Sequence, residues 1–371
     1  MFYLAFINYN PAAKITKCFL CAFAGALLLL FSCKKKIETK EVEVEKKYSW
    51  TESKRFTGTQ KFFLSSGSNG KAIFLQQPFF FTVLTNQNEY SGITVYGAGL
   101  PTDITTRIPI SATFSAYAIS DTVLQIFNNS FPNISPNHGY INLKPIDPTL
   151  TSIQKTNSLL FKAMAINSNG VMMFAYNNNR PSQPLTFMMI KVQTSSTIPF
   201  VDTIFSKLIT VPRNSGTYYA RYFTAVDDYF LADLEANGIY KFMEDGSFSR
   251  VYNLATVDAF YEWKGKVYAH AEWGKLLISS DKGNTWQEYS GITNSMVSSS
   301  YYTVKDSLIG AVQDHIFTLR WNNANYSQRE LKNDGLEGST INGIEILNDT
   351  VYAATTKGLF FKPVSKFFQD K

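Results

Sequence analysis

The side chains of this 371-residue chain that could do chemistry are three cysteines, three histidines and scattered carboxylates and arginines. A metal site needs ligands at short, fixed spacing, and His138, His270 and His315 stand far apart. Asp227-Asp228 lies between strand-forming residues and reads as a turn, not as a catalytic carboxylate pair. No glycine-rich phosphate loop and no nucleophile elbow occurs. The asparagine runs 128–129, 177–179 and 322–323 read as loop residues. Neither a metal nor a cofactor is expected. The reactive groups with the most telling surroundings are the thiols, because Cys18, Cys21 and Cys33 are the only cysteines and all lie near the start.

Lys14 and Lys17 precede an apolar run, Cys18 to Phe31, which is followed by Ser32, Cys33 and the lysines 34–36. Basic flank, apolar stretch and small residue are the parts of a secretory signal. The run is 14 residues long, short of the roughly 20 that a spanning helix needs. Leu30-Phe31-Ser32-Cys33 resembles the lipobox of bacterial lipoproteins, which implies that Cys33 is acylated and becomes the mature N-terminus. A mature chain would then have no free thiol. Lys34 stands where an aspartate would retain an enteric lipoprotein in the inner membrane, so an outer-membrane location is expected, facing either the periplasm or the exterior.

Residues 1–32 carry two of the 35 basic residues and none of the 29 acidic ones, so the mature charge is +4. That charge is mild and unclustered, and nucleic acid is not an expected partner. Lys34 to Lys47 mixes six lysines with four glutamates and too few apolar residues to bury, which is the composition of a solvated tether. The expected organisation is a signal at 1–32, a lipidated cysteine and tether at 33–55, and one folded domain at 56–371.

That domain is rich in aromatic and β-branched residues set between turn formers, an all-β pattern. One unit recurs: strand, tight polar turn, second strand. Ile344 to Ala353, Tyr302 to Gly310, Tyr261 to Ala269, Thr224 to Ala232 and Tyr117 to Gln125 are clear copies; Ala165 to Ala175 and Phe63 to Phe74 are weaker. Turns at 69, 121, 169, 228, 265, 306 and 349 are spaced by 52, 48, 59, 37, 41 and 43 residues. A β-sandwich has no reason to repeat at this spacing, whereas four-stranded propeller blades do. The expected fold is a β-propeller of seven blades, with six as the alternative. The ring is expected to close by pairing Phe56 to Phe63 with the last repeat, sparing an exposed sheet edge.

Ser279-Ser280-Asp281-Lys282-Gly283-Asn284-Thr285-Trp286 carries the pattern S-x-D-x-G-x-T-W. Asp281 can accept turn amides, Gly283 can take positive φ and Trp286 can pack behind the hairpin. In this segment the chain resembles the BNR/Asp-box propellers of the sialidase superfamily, and the repeats extend the likeness over about 60–371. The resemblance implies a structural role for Ser279, Asp281, Gly283, Thr285 and Trp286. Thr355 to Phe360 also resembles blades of sensor-domain propellers in bacterial two-component regulators.

Thr106-Arg107-Ile108-Pro109 is similar to the R-I-P element whose arginine binds the substrate carboxylate in sialidases. No motif marks Arg221 or Arg250 as the further arginines such an enzyme needs, and the chain has eight arginines in all. Asp121-Thr122-Val123, Asp202-Thr203-Ile204, Asp306-Ser307-Leu308 and Asp349-Thr350-Val351 are similar to the O-glycosylation sequon of Bacteroidetes envelope proteins, which makes Thr122, Thr203, Ser307 and Thr350 candidate modification sites. A turn aspartate followed by a strand-former is also what a hairpin wants. The expected function is a lipid-anchored, monomeric, non-enzymatic module that binds a glycan, peptide or partner protein. The alternative is a sialidase-like glycoside hydrolase or lyase on the same propeller.

Overall fold

The computed structural model describes residues 49–78, 80–85, 90–94, 108–130, 138–153, 164–176, 184–195, 201–212, 220–235, 237–253, 256–271, 274–290, 300–322 and 325–371. The chain enters through a two-residue strand, β1 (Thr51–Glu52). Blade I is β2 (Ser65–Ser68), β3 (Ala72–Gln76), β4 (Phe80–Thr85) and β5 (Tyr90–Thr94). Blade II contains β6 (Phe114–Ala118), β7 (Val123–Asn128) and β8 (His138–Asn142). Blade III is β9 (Met164–Ile166), β10 (Val171–Ala175), β11 (Leu185–Thr194) and β12 (Val201–Val211). Blade IV is β13 (Tyr222–Val226), β14 (Tyr229–Asp233), β15 (Ile239–Met243) and β16 (Phe248–Tyr252).

Blade V is β17 (Val257–Trp263), β18 (Lys266–Ala271), β19 (Lys275–Ser279) and β20 (Gln287–Tyr289). Blade VI is β21 (Ser300–Val304), β22 (Ser307–Val312), β23 (His315–Asn322) and β24 (Asn325–Glu330). Blade VII is β25 (Ile341–Leu347), β26 (Thr350–Thr355) and β27 (Leu359–Pro363), followed by the single-turn helix α1 (Val364–Phe367). These seven antiparallel sheets form the ring of a β-propeller, as the repeat spacing predicted.

The blades are held by apolar seams, because each sheet is apolar on both faces and must bury both against its neighbours. Phe187, Met189 and Ile209 of blade III meet Phe223, Phe230 and Phe242 of blade IV in one such seam. Ala232, Ala269 and Ala353, the small residues of the repeat, are fully buried on second strands, where they let the preceding blade come close.

Antiparallel pairing sends successive connections to alternate rims of the ring. On one rim, first and second strands of blades IV to VII are joined by tight turns at 227–228, 264–265, 305–306 and 348–349. The left-handed backbone needed there falls on Asp227, Lys264, Lys305 and Asn348. On the other rim begin and end the connections between blades. Most are much longer, spanning 143–163 from β8 to β9, 212–221 from β12 to β13, 290–299 from β20 to β21 and 331–340 from β24 to β25, whereas β16 reaches β17 through 253–256 alone.

Two features depart from expectation. Tyr117 and Gln125 do pair, but their hairpin joins the second and third strands of blade II. Its innermost strand is Ile108–Ile110, held by the Ile110–Ser115 bridge and by Ala116 N–H donating to Pro109 O at 3.2 Å. The turn equivalent to residue 69 is therefore 111–113, and the 121 turn is out of phase. The closing strand also lies earlier than expected. It is β1, with Thr51 opposite Phe361 and Glu52 opposite Phe360. Phe56 and Phe63 instead pack edge to face at 4.9 Å in the seam between blades VII and I. Residues 49–55, expected in the tether, thus belong to the propeller.

Trp50 fastens the closure. Its ring is buried between blades VI and VII, 6.0 Å edge-on to Phe367, and its indole N–H donates to Lys332 O at 3.2 Å. Its backbone N–H donates to Asp334 O at 3.1 Å. Trp50→Ala should cost about 3–5 kcal/mol, measured by calorimetric melting. Removing residues 1–47 should leave the melting temperature unchanged. Removing residues 1–53 should lower it as much as removing 364–371; a silent 1–53 deletion would refute β1 as the closing strand.

Candidate functional site

The inner strands converge on a central channel that encloses a cavity of ≈ 250 Å³. Blades V, VI, VII and I present a polar wall of Asp258, Ser300, Asn342, Ser65 and Ser66. Blades II and III present an aliphatic wall of Ile108, Pro109, Ile110, Met164 and Ile166. At the rim with the tight turns, a second opening lies among Ser111, Asn167, Asn169, Asp227 and Asp228.

An ion pair borders the cavity, and a carboxyl lies outside its lining, in the seam between blades VII and I. Arg221 Nη2, just ahead of β13, lies 3.3 Å from Asp258 Oδ1 on β17. On β25, Glu345 is half-buried, and Ser66 Oγ of β2 donates to its Oε1 at 2.8 Å. Blades VII and I touch here because residue 343 is glycine: a Cβ at Gly343 would stand 1.8 Å from Ser66 Oγ. Burial pushes the Glu345 carboxyl up to about 7, opposed only by the Ser66 hydrogen bond. Sequence inspection passed over Glu345. Its only signal was an acidic residue on an otherwise apolar inner strand.

The S-x-D-x-G-x-T-W residues run from the end of β19 through the β19–β20 turn of blade V. Asp281 Oδ1 accepts Thr285 N–H at 2.9 Å, and Oδ2 accepts Thr285 Oγ1–H at 2.7 Å. These bonds hold the Asp281 carboxyl down at about 2. Ser279 Oγ accepts Gly283 N–H at 2.7 Å. Gly283 has φ +81°, and a Cβ there would also come within 3.1 Å of Leu231. Trp286 packs on the seam between blades IV and V, 6.5 Å from Phe260. The five residues thus meet in one turn, remote from the inner strands.

The other candidates remain dispersed. His138 lies on the outer strand of blade II, buried His270 in blade V and His315 in blade VI, where its Nδ1 is 2.7 Å from Glu330 Oε1. Burial lowers His270 to about 4, which keeps it neutral. Among the described residues no three His, Cys, Asp or Glu side chains could share a metal. Asp227 and Asp228 are exposed turn residues. Arg221 directly precedes the innermost strand of blade IV and Arg250 sits exposed on its outermost, so the two do not converge. Arg107 and Cys33 lie outside the described residues. Of the sequon residues, Thr203 is exposed on β12, while Thr122, Ser307 and Thr350 are half-buried at strand starts.

No family model and no curated protein matches the chain. Among solved structures it is similar to a streptogramin B lyase, with a TM-score of 0.52 and 12% identity over 84% of this chain and 95% of that one. It is also similar to the extracellular domain of the putative one component system BT4673 from B. thetaiotaomicron, with a TM-score of 0.50 and 12% identity over 85% of this chain and 40% of that one. A third likeness is to the computationally designed protein Ika8, with a TM-score of 0.51 and 8% identity over 83% of this chain and 98% of that one. At such identities the shared property is the propeller fold.

Glu345 generates a pH prediction. Its folded pKa is raised above the unfolded value, so its contribution to stability is complete below about pH 4.5 and is lost as pH rises through about 7. Glu345→Gln lacks this loss. The melting temperature of the variant relative to the parent should therefore climb between pH 4.5 and 7 and then level off. A difference that does not change with pH would show that the carboxyl is not buried.

Proposed function

We propose that the chain is an envelope lipoprotein, anchored through acylated Cys33, whose propeller is a non-enzymatic binding or scaffold module. Residues 34–48 serve as its tether. The sixteen residue steps from Cys33 to Ser49 reach at most about 55 Å when extended, so the ring works close to the membrane surface. An extracellular propeller domain in a putative one component system is one setting in which this fold sits at the envelope.

The observation that carries the binding role is the contrast between the two rims. First-to-second-strand turns of two residues occupy one rim in blades IV to VII, where the longest of the third-to-fourth-strand connections of those blades is 280–286, whereas most connections between blades run to ten residues or more and begin and end on the other rim. Binding residues concentrate on loops held by a rigid scaffold. The long rim, with the channel mouth at its centre, is therefore the binding face for a glycan, peptide or partner protein.

Cys33→Ser should leave the protein unprocessed and out of the membrane fraction; continued fractionation with membranes would defeat the anchor. Processing also leaves the mature chain without a free thiol, so single cysteines can report on each rim. Exposed Glu337 lies in the β24–β25 connection and exposed Lys305 in a tight turn. In living cells, a thiol cross-linker should capture a partner from Glu337→Cys and not from Lys305→Cys. The reverse pattern would overturn the assignment of the binding face.

A further inference from the structure

We propose that the mouth of the central channel binds one ring of a neutral sugar, its hydroxyls on the polar wall and its C–H face on the aliphatic wall. This site deepens the binding-module reading and rests on it, choosing a glycan as the ligand.

The first observation is access. Ser65, Met164, Tyr222 and Ser300 are the first residues of their innermost strands, and Asp258 and Asn342 the second. All six line the cavity. Innermost strands start at the rim of the long connections, so the cavity lies directly beneath the proposed binding face. Its mouth is open: the Asp258 side chain is 45% exposed.

The second observation is what the polar wall has left to offer. Ser65 Oγ donates to Gln76 Oε1 at 2.6 Å, and Ser66 Oγ donates to Glu345 Oε1 at 2.8 Å. A hydroxyl has one proton and two lone pairs, so both serines can serve a ligand only as acceptors. The Asp258 carboxylate is an acceptor too. The wall therefore calls for a ligand rich in donors. It does not call for a charge, because Asp258 is the one charged group among the described lining residues and Arg221 Nη2 stands 3.3 Å from it. An ion entering there would shed its water and find no uncompensated opposite charge. Uncharged donors borne several at a time on a compact body are the hydroxyls of a sugar. A serine or threonine side chain of a peptide brings one hydroxyl, which cannot serve blades I and V together.

The third observation is the opposite wall of Ile108, Pro109, Ile110, Met164 and Ile166. A pyranose carries its hydroxyls around the edge and C–H groups on its faces, so one face can bury against these side chains. The size agrees. A cavity of ≈ 250 Å³ is below the roughly 300–1,000 Å³ of a site for drug-sized ligands, so it takes a single ring and leaves the rest of a glycan on the rim.

The probes are the methyl pyranosides of glucose, galactose, mannose and N-acetylglucosamine, with Nα-acetyl-serine methylamide as the peptide counterpart. Binding to the mature protein is measured by ligand-observed NMR. At least one pyranoside should bind in the millimolar range or tighter. Its 6-carboxylate and 6-amino analogues should bind at least about tenfold more weakly, as hydrogen bonds give way to unmatched charge. Asp258→Asn keeps the shape and leaves Arg221 in excess, so it should weaken the neutral sugar at least about tenfold and turn the preference toward the 6-carboxylate. Met164→Trp should fill the mouth and block every probe. Melting temperatures check that both variants fold, and the analogue preferences of the parent protein need no variant.

The site is overturned if no pyranoside binds, if a charged analogue binds the parent as tightly as the neutral sugar, or if Asp258→Asn leaves the preferences unchanged. Equal affinity for the serine probe would assign the cavity to a peptide and overturn it likewise. Partner capture at Glu337→Cys is a separate readout. Absent sugar binding with capture intact overturns the channel site alone, while absence of both overturns the binding-module reading.

Discussion

Ring closure is the constraint on which the rest of this molecule depends. Each blade is a sheet with two apolar faces, and none can bury both unless the seventh meets the first. The chain solves this with a minimal strand and one aromatic ring: Thr51 and Glu52 complete blade VII, and Trp50 fills the gap between blades VI and VII. The hydrogen bonds of β1 carry little of the stability themselves, since each backbone bond contributes about 1 kcal/mol net. The larger share comes from apolar area, with Trp50 shielded by Phe367 and the Lys362 ammonium 5.2 Å from its ring centre. The C-terminal segment is tied to the same place, because Lys332 N–H donates to Gln369 O at 2.9 Å. The first and last segments of the propeller thus converge on one seam.

Closure also fixes how the inner strands approach one another. At the seam between blades VII and I the inner strands come so close that Gly343 faces Ser66 with no room for a side chain. A carboxyl placed beside that contact loses much of its water. Glu345 is thereby held close to neutrality by the same crowding that lets the ring close.

The fold was legible in the sequence wherever the repeat was built from local rules. A two-residue turn between apolar strands announces itself through Asp, Asn and Gly, and those turns lie where expected in six blades. Blade II misled because its innermost strand, Ile108-Pro109-Ile110, is too short and proline-bearing to read as a strand, whereas the hairpin outside it is strong. The closing strand was missed for a related reason. Thr51-Glu52 has no periodicity, and its partners, Phe360 and Phe361, lie in the last strand of the ring, so only tertiary structure identifies it. Glu345 was in plain view, but its meaning depends on Gly343 and Ser66, which are distant from each other in sequence.

The contrast between the rims follows from the same topology. Every first-to-second-strand connection must turn within the width of one strand pair, so it is short, and its residues are chosen for backbone conformation. Connections between blades travel from the outermost strand of one sheet to the innermost of the next, most of them through ten residues or more, and nothing in the ring dictates their side chains. A propeller therefore separates what its fold requires from what its sequence is free to vary, and places the free part on one rim around the channel mouth.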